Sequence, residues 1–232
     1  MTKAARDLVL ENFAWIHGHA DVWAIFRDAT ALNAVVKALV EPFKDGGITA
    51  VCGVESRGFL LGAAAAVELG VGFIPVRKGE GLFPGEKVER RAAPDYRQQR
   101  NCLRLQRHAL TPDDKVLLVD DWIETGNQAA AVRAMVSECG SGWAGCSVII
   151  DQLSEEGRQA VGPVQALLAF SDLPLYQVEE EAGREVRPAV SRGLNCWLGP
   201  WRCPVGPGGL TGETPGHERD RRNGDIASGV QR

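Results

Sequence analysis

Short apolar runs alternate with helix-length amphipathic stretches along this chain, and that alternation is what most restricts its fold. The runs are 48–54 (ITAVCGV), 71–76 (VGFIPV), 115–121 (KVLLVDD) and 145–150 (GCSVII), with a further candidate at 163–170 (PVQALLAF). Apolar segments this short, without polar alternation, are typical of strands covered on both faces. Between them, 31–43 places Leu32, Val35, Val36, Leu39 and Val40 on one helical face. The 58–69 stretch is rich in Ala and Leu, and 129–139 (AAAVRAMVSEC) is followed by Gly140, a common helix stop. Strand, helix, strand repeated in this way predicts an α/β fold with a mostly parallel sheet flanked by helices.

Charge and cysteine usage exclude several function classes. With 26 Lys and Arg against 30 Asp and Glu, the formal charge is −4 over 232 residues. No basic surplus of the kind expected of a nucleic-acid binder is present. The apolar stretch 58–76 is interrupted by Glu68, Gly70 and Gly72, so it predicts a buried helix and strand rather than a bilayer crossing. The opening residues are polar and carry no signal-like apolar run. Six scattered cysteines form no C-x-x-C pair, which argues for reduced thiols in a cytoplasmic protein.

Two segments depart from the alternation. Residues 78–99 are polar and rich in Gly, Pro and charge, as expected of a mobile lid over a binding site. Residues 176–232 lack periodicity and are loaded with Gly, Pro and Arg. The expectation is one domain over 1–175 and a disordered tail over 176–232.

The stretch 116–129 (VLLVDDWIETGNQA) carries the chemistry. A buried strand delivers Asp120 and Asp121 to a short loop containing Thr125 and Gly126, which opens a helix. In an open α/β sheet, ligands bind beyond the carboxyl ends of strands. Turn amides ahead of a helix N-terminus suit a phosphate, and paired carboxylates suit sugar hydroxyls or a substrate-held Mg²⁺. Taken alone, the same residues also fit a solvated acidic turn that caps a helix. Arg57 heads a predicted helix, where the dipole disfavours a cation, so an anionic partner is expected there. Taken alone, Phe26 in its short apolar segment reads as core.

This stretch resembles the PRPP (5-phosphoribosyl-1-diphosphate) motif of type I phosphoribosyltransferases. Three further pieces, in order, resemble the adenine phosphoribosyltransferases among them: 24–28 (AIFRD), 53–62 (GVESRGFLLG) and 73–78 (FIPVRK) followed by a Gly/Pro loop. The likeness spans 7–173. It implies a Rossmann-like parallel sheet with a small hood built partly from the N-terminal segment, and a homodimer. It implies that Asp120 and Asp121 hold the ribose hydroxyls and, through PRPP and water, Mg²⁺. Glu124, Thr125, Gly126, Asn127 and Gln128 would wrap the 5-phosphate. Glu55, Ser56, Arg57 and Gly58 would form the pyrophosphate loop, with Arg77, Lys78 and Lys87 adding positive charge. Phe26 would stack on the base while Ile25 and Arg27 offer backbone groups to its edge.

The implied reaction is purine salvage: adenine and PRPP give AMP and pyrophosphate, with Arg57, Asp120, Asp121 and Glu124 at the reacting centre. The phosphate loop reads E-T-G-N-Q against A-T-G-G-T in adenine enzymes, and Glu124 stands where 6-oxopurine enzymes carry an Asp. A transferase for another base and a PRPP-binding module without turnover therefore remain as alternatives.

Overall fold

The computed structural model describes residues 4–79, 82–93 and 102–176. The elements run α1 (Ala5–Glu11), β1 (Ala14–Ile16), β2 (His19–Asp21), α2 (Trp23–Arg27), α3 (Ala29–Val40), β3 (Ala50–Val54), α4 (Arg57–Leu69), β4 (Gly72–Lys78) and β5 (Lys87–Arg91). They continue with β6 (Cys102–Gln106), β7 (Lys115–Ile123), α5 (Asn127–Glu138), β8 (Gly142–Asp151), α6 (Glu155–Val161) and β9 (Val164–Ala169). A seven-stranded sheet has the order β5-β6-β4-β3-β7-β8-β9, and β1 and β2 form a separate hairpin. The β4-β3-β7-β8-β9 portion is parallel, while β6 joins β4 and β5 antiparallel. The expected mostly parallel α/β fold is thus what forms.

Strand alternation divides the interior in two. Leu117 and Val119 of β7 join a core with α1, α3 and α4. Val116 and Leu118 face the other way, into a core with α5, β5 and β6. Every residue of β3 is buried, as its uninterrupted apolar run predicted. Asp28 caps α3 by accepting from the amides of Thr30 at 2.7 Å and Ala31 at 3.0 Å.

The expectation of a mobile lid loop over 78–99 is corrected at 87–91, which is an edge strand. Only Val88 of that strand is buried, so its composition reads as loop. Pairing with β6, whose Leu103 and Leu105 are fully buried, is what makes it a strand. The rest of the lid expectation at 80–81 and 94–99, and the tail expectation beyond Tyr176, lie outside the described residues. Tyr176 itself packs edge-on to Trp15, with ring centroids 5.8 Å apart.

Candidate functional site

From β3 the chain crosses through α4 to β4 on one side, whereas β7 leads through α5 to β8 on the other. The connections diverge between β3 and β7, and a crevice opens at such a switch point beyond the strands' carboxyl ends. β7 pairs with β3 only over Val116, Leu117 and Leu118, and then runs on to Ile123. Asp120 and Asp121 therefore lie inside the strand rather than at its end, along an edge that β3 has left. Into the same crevice comes the turn from Glu55 to Arg57.

That turn is held close by glycine. A Cβ on Gly53 would lie 2.0 Å from the Gly58 carbonyl oxygen, so only glycine lets the turn fold back over β3. A Cβ on Gly58 would meet Asp120 Oδ1 at 2.9 Å, so the carboxyl group is seated directly over this residue. Arg57 Nε stands 2.9 Å from Asp121 Oδ2. Asp121 is only 5% exposed, and this oxygen has no aligned hydrogen bond, so the contact is an ion pair. The Asp121 amide donates to Asp120 Oδ1 at 2.9 Å.

Burial, and then the neighbouring Asp121 charge, push the Asp120 carboxyl well above the usual carboxylate range. A carboxyl that holds its proton more tightly folded than unfolded lowers native stability once it must ionise. That cost sets in as pH rises through the unfolded value, about 3.9, and is complete above the raised folded value. Asp120→Asn is therefore expected to raise the Tm of the ligand-free protein, with the gain over wild type growing as pH rises from about 4. Thermal melts of both proteins across that range check it; a gain that is constant or shrinks with pH refutes it.

The other sequence-derived residues fall as follows. Glu55 Oε2 accepts from the Lys78 amide at 3.0 Å, and Arg77 Nη2 lies 3.5 Å from Glu55 Oε1. Those partners hold the Glu55 carboxyl below its ordinary range against an opposing push from burial. Glu55 thus ties β4 to the turn, carrying Arg77 and Lys78 with it. Ser56 is exposed, and its peptide bond with Glu55 is cis.

Lys87 heads β5, four strands across from β7, where its ammonium donates to the Gly85 carbonyl at 3.0 Å. The structure does not bring it to the acidic pair.

The loop after β7 rests on α6. Gly126 has φ +76°, and a Cβ there would strike Val161 Cγ2 at 2.8 Å and Leu153 Cδ2 at 2.9 Å. This glycine is required by its conformation and by packing from below. Gly157 approaches the Thr125 carbonyl similarly, and Ser154 caps α6 through the Gly157 amide at 3.1 Å. Thr125 Oγ1 accepts from the Asn127 amide at 3.3 Å, and Gly126 brings no side-chain cap to α5. The twelve-residue α5 therefore starts just beyond the carboxyl end of β7, and a helix N-terminus favours an anion.

Ile25 is fully buried and anchors α2. Phe26 is partly buried against the core, and Arg27 is exposed. Sequence reasoning passed over Trp23, which is 49% exposed, lies 5.4 Å from the Phe26 ring and carries Arg57 over its own ring. Its exposed position on a five-residue helix left no periodic signal. Phe26, Trp23, Arg57, Asp121 and Asp120 form one continuous chain of contacts from the hood to the sheet.

No protein-family model matches the chain. The adenine phosphoribosyltransferase of Methylobacillus flagellatus is 42% identical over 160 residues, covering 69% of this chain and 87% of that one. The adenine phosphoribosyltransferase of Streptomyces clavuligerus is 34% identical over 177 residues, covering 72% and 97%. Among solved structures, the Giardia lamblia enzyme complexed with 9-deazaadenine superposes with a TM-score of 0.66 at 30% identity, over 72% of this chain and 98% of that one. Similarity that runs over nearly the whole of these relatives, on the same architecture, places the chain in the adenine phosphoribosyltransferase family.

Proposed function

We propose that this protein transfers the 5-phosphoribosyl group of PRPP to adenine, giving AMP and pyrophosphate. The observation that carries the proposal is the Arg57–Asp121 contact in the switch-point crevice. It sets a cation for the leaving diphosphate against carboxylates for the ribose, with a helix N-terminus beside them for the 5-phosphate.

In this reading Asp120 and Asp121 accept from the ribose hydroxyls, and the backbone from Glu124 to Gln128 surrounds the 5-phosphate. Displacing a diphosphate from an anomeric carbon passes through an oxocarbenium-like state, with negative charge gathering on the departing group. Arg57, with Arg77 and Lys78 supplied by β4, stabilises that charge. The Glu55, Ser56 and Gly58 backbone keeps the turn within reach. Phe26 stacks on adenine, and backbone groups at Ile25 and Arg27 meet its edge. The base nitrogen is the nucleophile, so no protein nucleophile is needed.

Among the described residues no three His, Cys, Asp or Glu side chains cluster as a metal cage. Two adjacent carboxylates, with Asp121 Oδ2 already paired to Arg57, suit an Mg²⁺ held mainly by substrate oxygens and water rather than directly by the protein. When bound, Mg²⁺ supplies charge neutralisation on the diphosphate.

A homodimer is part of the proposal. Leu60 and Val67, seven positions apart on α4, are 49% and 81% exposed, an apolar stripe suited to a second copy. Light scattering on the purified chain is expected to return twice the 25.0 kDa chain mass; a monomer at micromolar concentration rejects this part. A cytoplasmic location agrees with the unbridged Cys52, Cys102, Cys139 and Cys146. No helix among the described residues is long and apolar enough to cross a membrane.

The decisive experiment incubates the protein with PRPP, Mg²⁺ and each of adenine, hypoxanthine, guanine and xanthine. AMP is expected to dominate in competition. Preference for a 6-oxopurine would shift the substrate to the reading suggested by Glu124, and absence of any nucleotide would remove the enzymatic claim.

A further inference from the structure

We infer that Trp23 is a positioning residue for the pyrophosphate-binding cation, acting through Arg57. The inference rests on the transferase reading above and adds a residue to its leaving-group site.

The hood helix α2 is fixed to the core by Val22 and Ile25, which are 1% and 0% exposed. Trp23, between them, turns outward. Arg57 Cζ lies 5.6 Å from the centroid of its ring, within the range at which an aromatic face attracts a guanidinium. Asp121 Oδ2 holds the same guanidinium at Nε. Together they take one edge and one face of the group. The Nη1 and Nη2 donors carry no partner among the described residues, so the fork that grips phosphate oxygens bidentately stays available.

The two holders differ once substrate arrives. Asp121 is assigned to the ribose, so its grip on Nε is shared when PRPP binds. The Trp23 ring competes for no hydrogen bond, and it keeps the guanidinium in place while the diphosphate is engaged and released. Arg57 starts a helix from a turn and has four side-chain torsions, so an aromatic platform limits the orientations it would otherwise sample. Trp23 also touches Phe26, which raises the rival role of a support for the base wall.

Trp23→Leu, Trp23→Phe and Trp23→Tyr separate these roles. Calorimetry with magnesium pyrophosphate and steady-state kinetics of AMP formation are measured for each, and thermal melts confirm folding. Trp23→Leu is expected to weaken pyrophosphate binding and raise the KM for PRPP about fivefold. Its effect on the KM for adenine should be smaller. Phe and Tyr should fall between Leu and wild type, following ring electrostatics rather than side-chain volume. In an Arg57→Ala background, Trp23→Leu should change kcat/KM for PRPP by less than about twofold.

Wild-type pyrophosphate affinity in Trp23→Leu overturns the inference. So does a defect confined to adenine, or an undiminished Trp23→Leu effect without Arg57. Failure of the wild-type protein to form AMP would overturn the transferase reading and this inference with it, and is distinguishable because it appears before any substitution is made.

Discussion

Arg57→Ala is expected to slow AMP formation by about 10²–10³-fold at saturating substrates, the loss typical of removing one preorganised charge stabiliser. The defect should sit in kcat as well as in KM for PRPP, because charge on the diphosphate is greatest as the bond breaks. Stability should fall too. Arg57 is the cation in contact with Asp121, and its loss leaves two neighbouring carboxylates without it, at a cost of about 1–3 kcal/mol. Adding Asp121→Asn should restore much of that stability, since it relieves the repulsion at Asp120, while leaving the rate low. Steady-state kinetics and thermal melts on the two variants check the pair of expectations. Arg57→Ala within tenfold of wild type would show that this cation does not serve the leaving group.

The second large effect belongs to Gly53→Ala, a change at a residue that has no side chain of its own to touch substrate. The added methyl would lie 2.0 Å from the Gly58 carbonyl oxygen and 2.6 Å from its carbon. Both are backbone atoms, so no side chain can swing aside, and the turn carrying Arg57 must lift from β3. The expected loss is about 3 kcal/mol, or roughly 10 °C in Tm. Activity should fall further than stability implies, by at least about a hundredfold, because displacing Arg57 by an ångström misaligns it with the diphosphate. Gly72→Ala is the control. A Cβ there meets nothing within 4 Å, and stability should stay within about 0.5 kcal/mol of wild type. Equal melting temperatures for Gly53→Ala and Gly72→Ala would refute the steric argument.

The acidic pair and the Thr125–Gly126 turn were legible in the sequence because each is a local pattern, and the Glu55–Arg57 turn through its family resemblance. An apolar strand reaches two carboxylates, or a strand enters a helix through a short turn. Some reasons were less legible. The resemblance placed Gly126 against the 5-phosphate, yet its φ of +76° and the closeness of Leu153 and Val161 show that α6 and the connection leading into it also press on it from beneath. Residues some thirty positions downstream set that requirement, and a local pattern cannot report them. The β5 strand was missed for a similar reason. With one buried residue in five, its identity depends on β6 supplying the partner backbone and on Leu103 and Leu105.

Strand and helix periodicity determined by themselves the α/β class, and the order of four short motifs pointed to the family. Apolar spacing of this kind dictates which faces must be buried, and burial leaves few ways to arrange the layers. Only the tertiary structure decided where the chain reverses its winding. That placed the open edge of β7 beside the Glu55–Arg57 turn and brought Trp23 under Arg57 from thirty-four residues away. Contacts between segments so distant depend on how whole elements pack, and single positions carry no trace of them until the sheet and its hood have closed around the crevice.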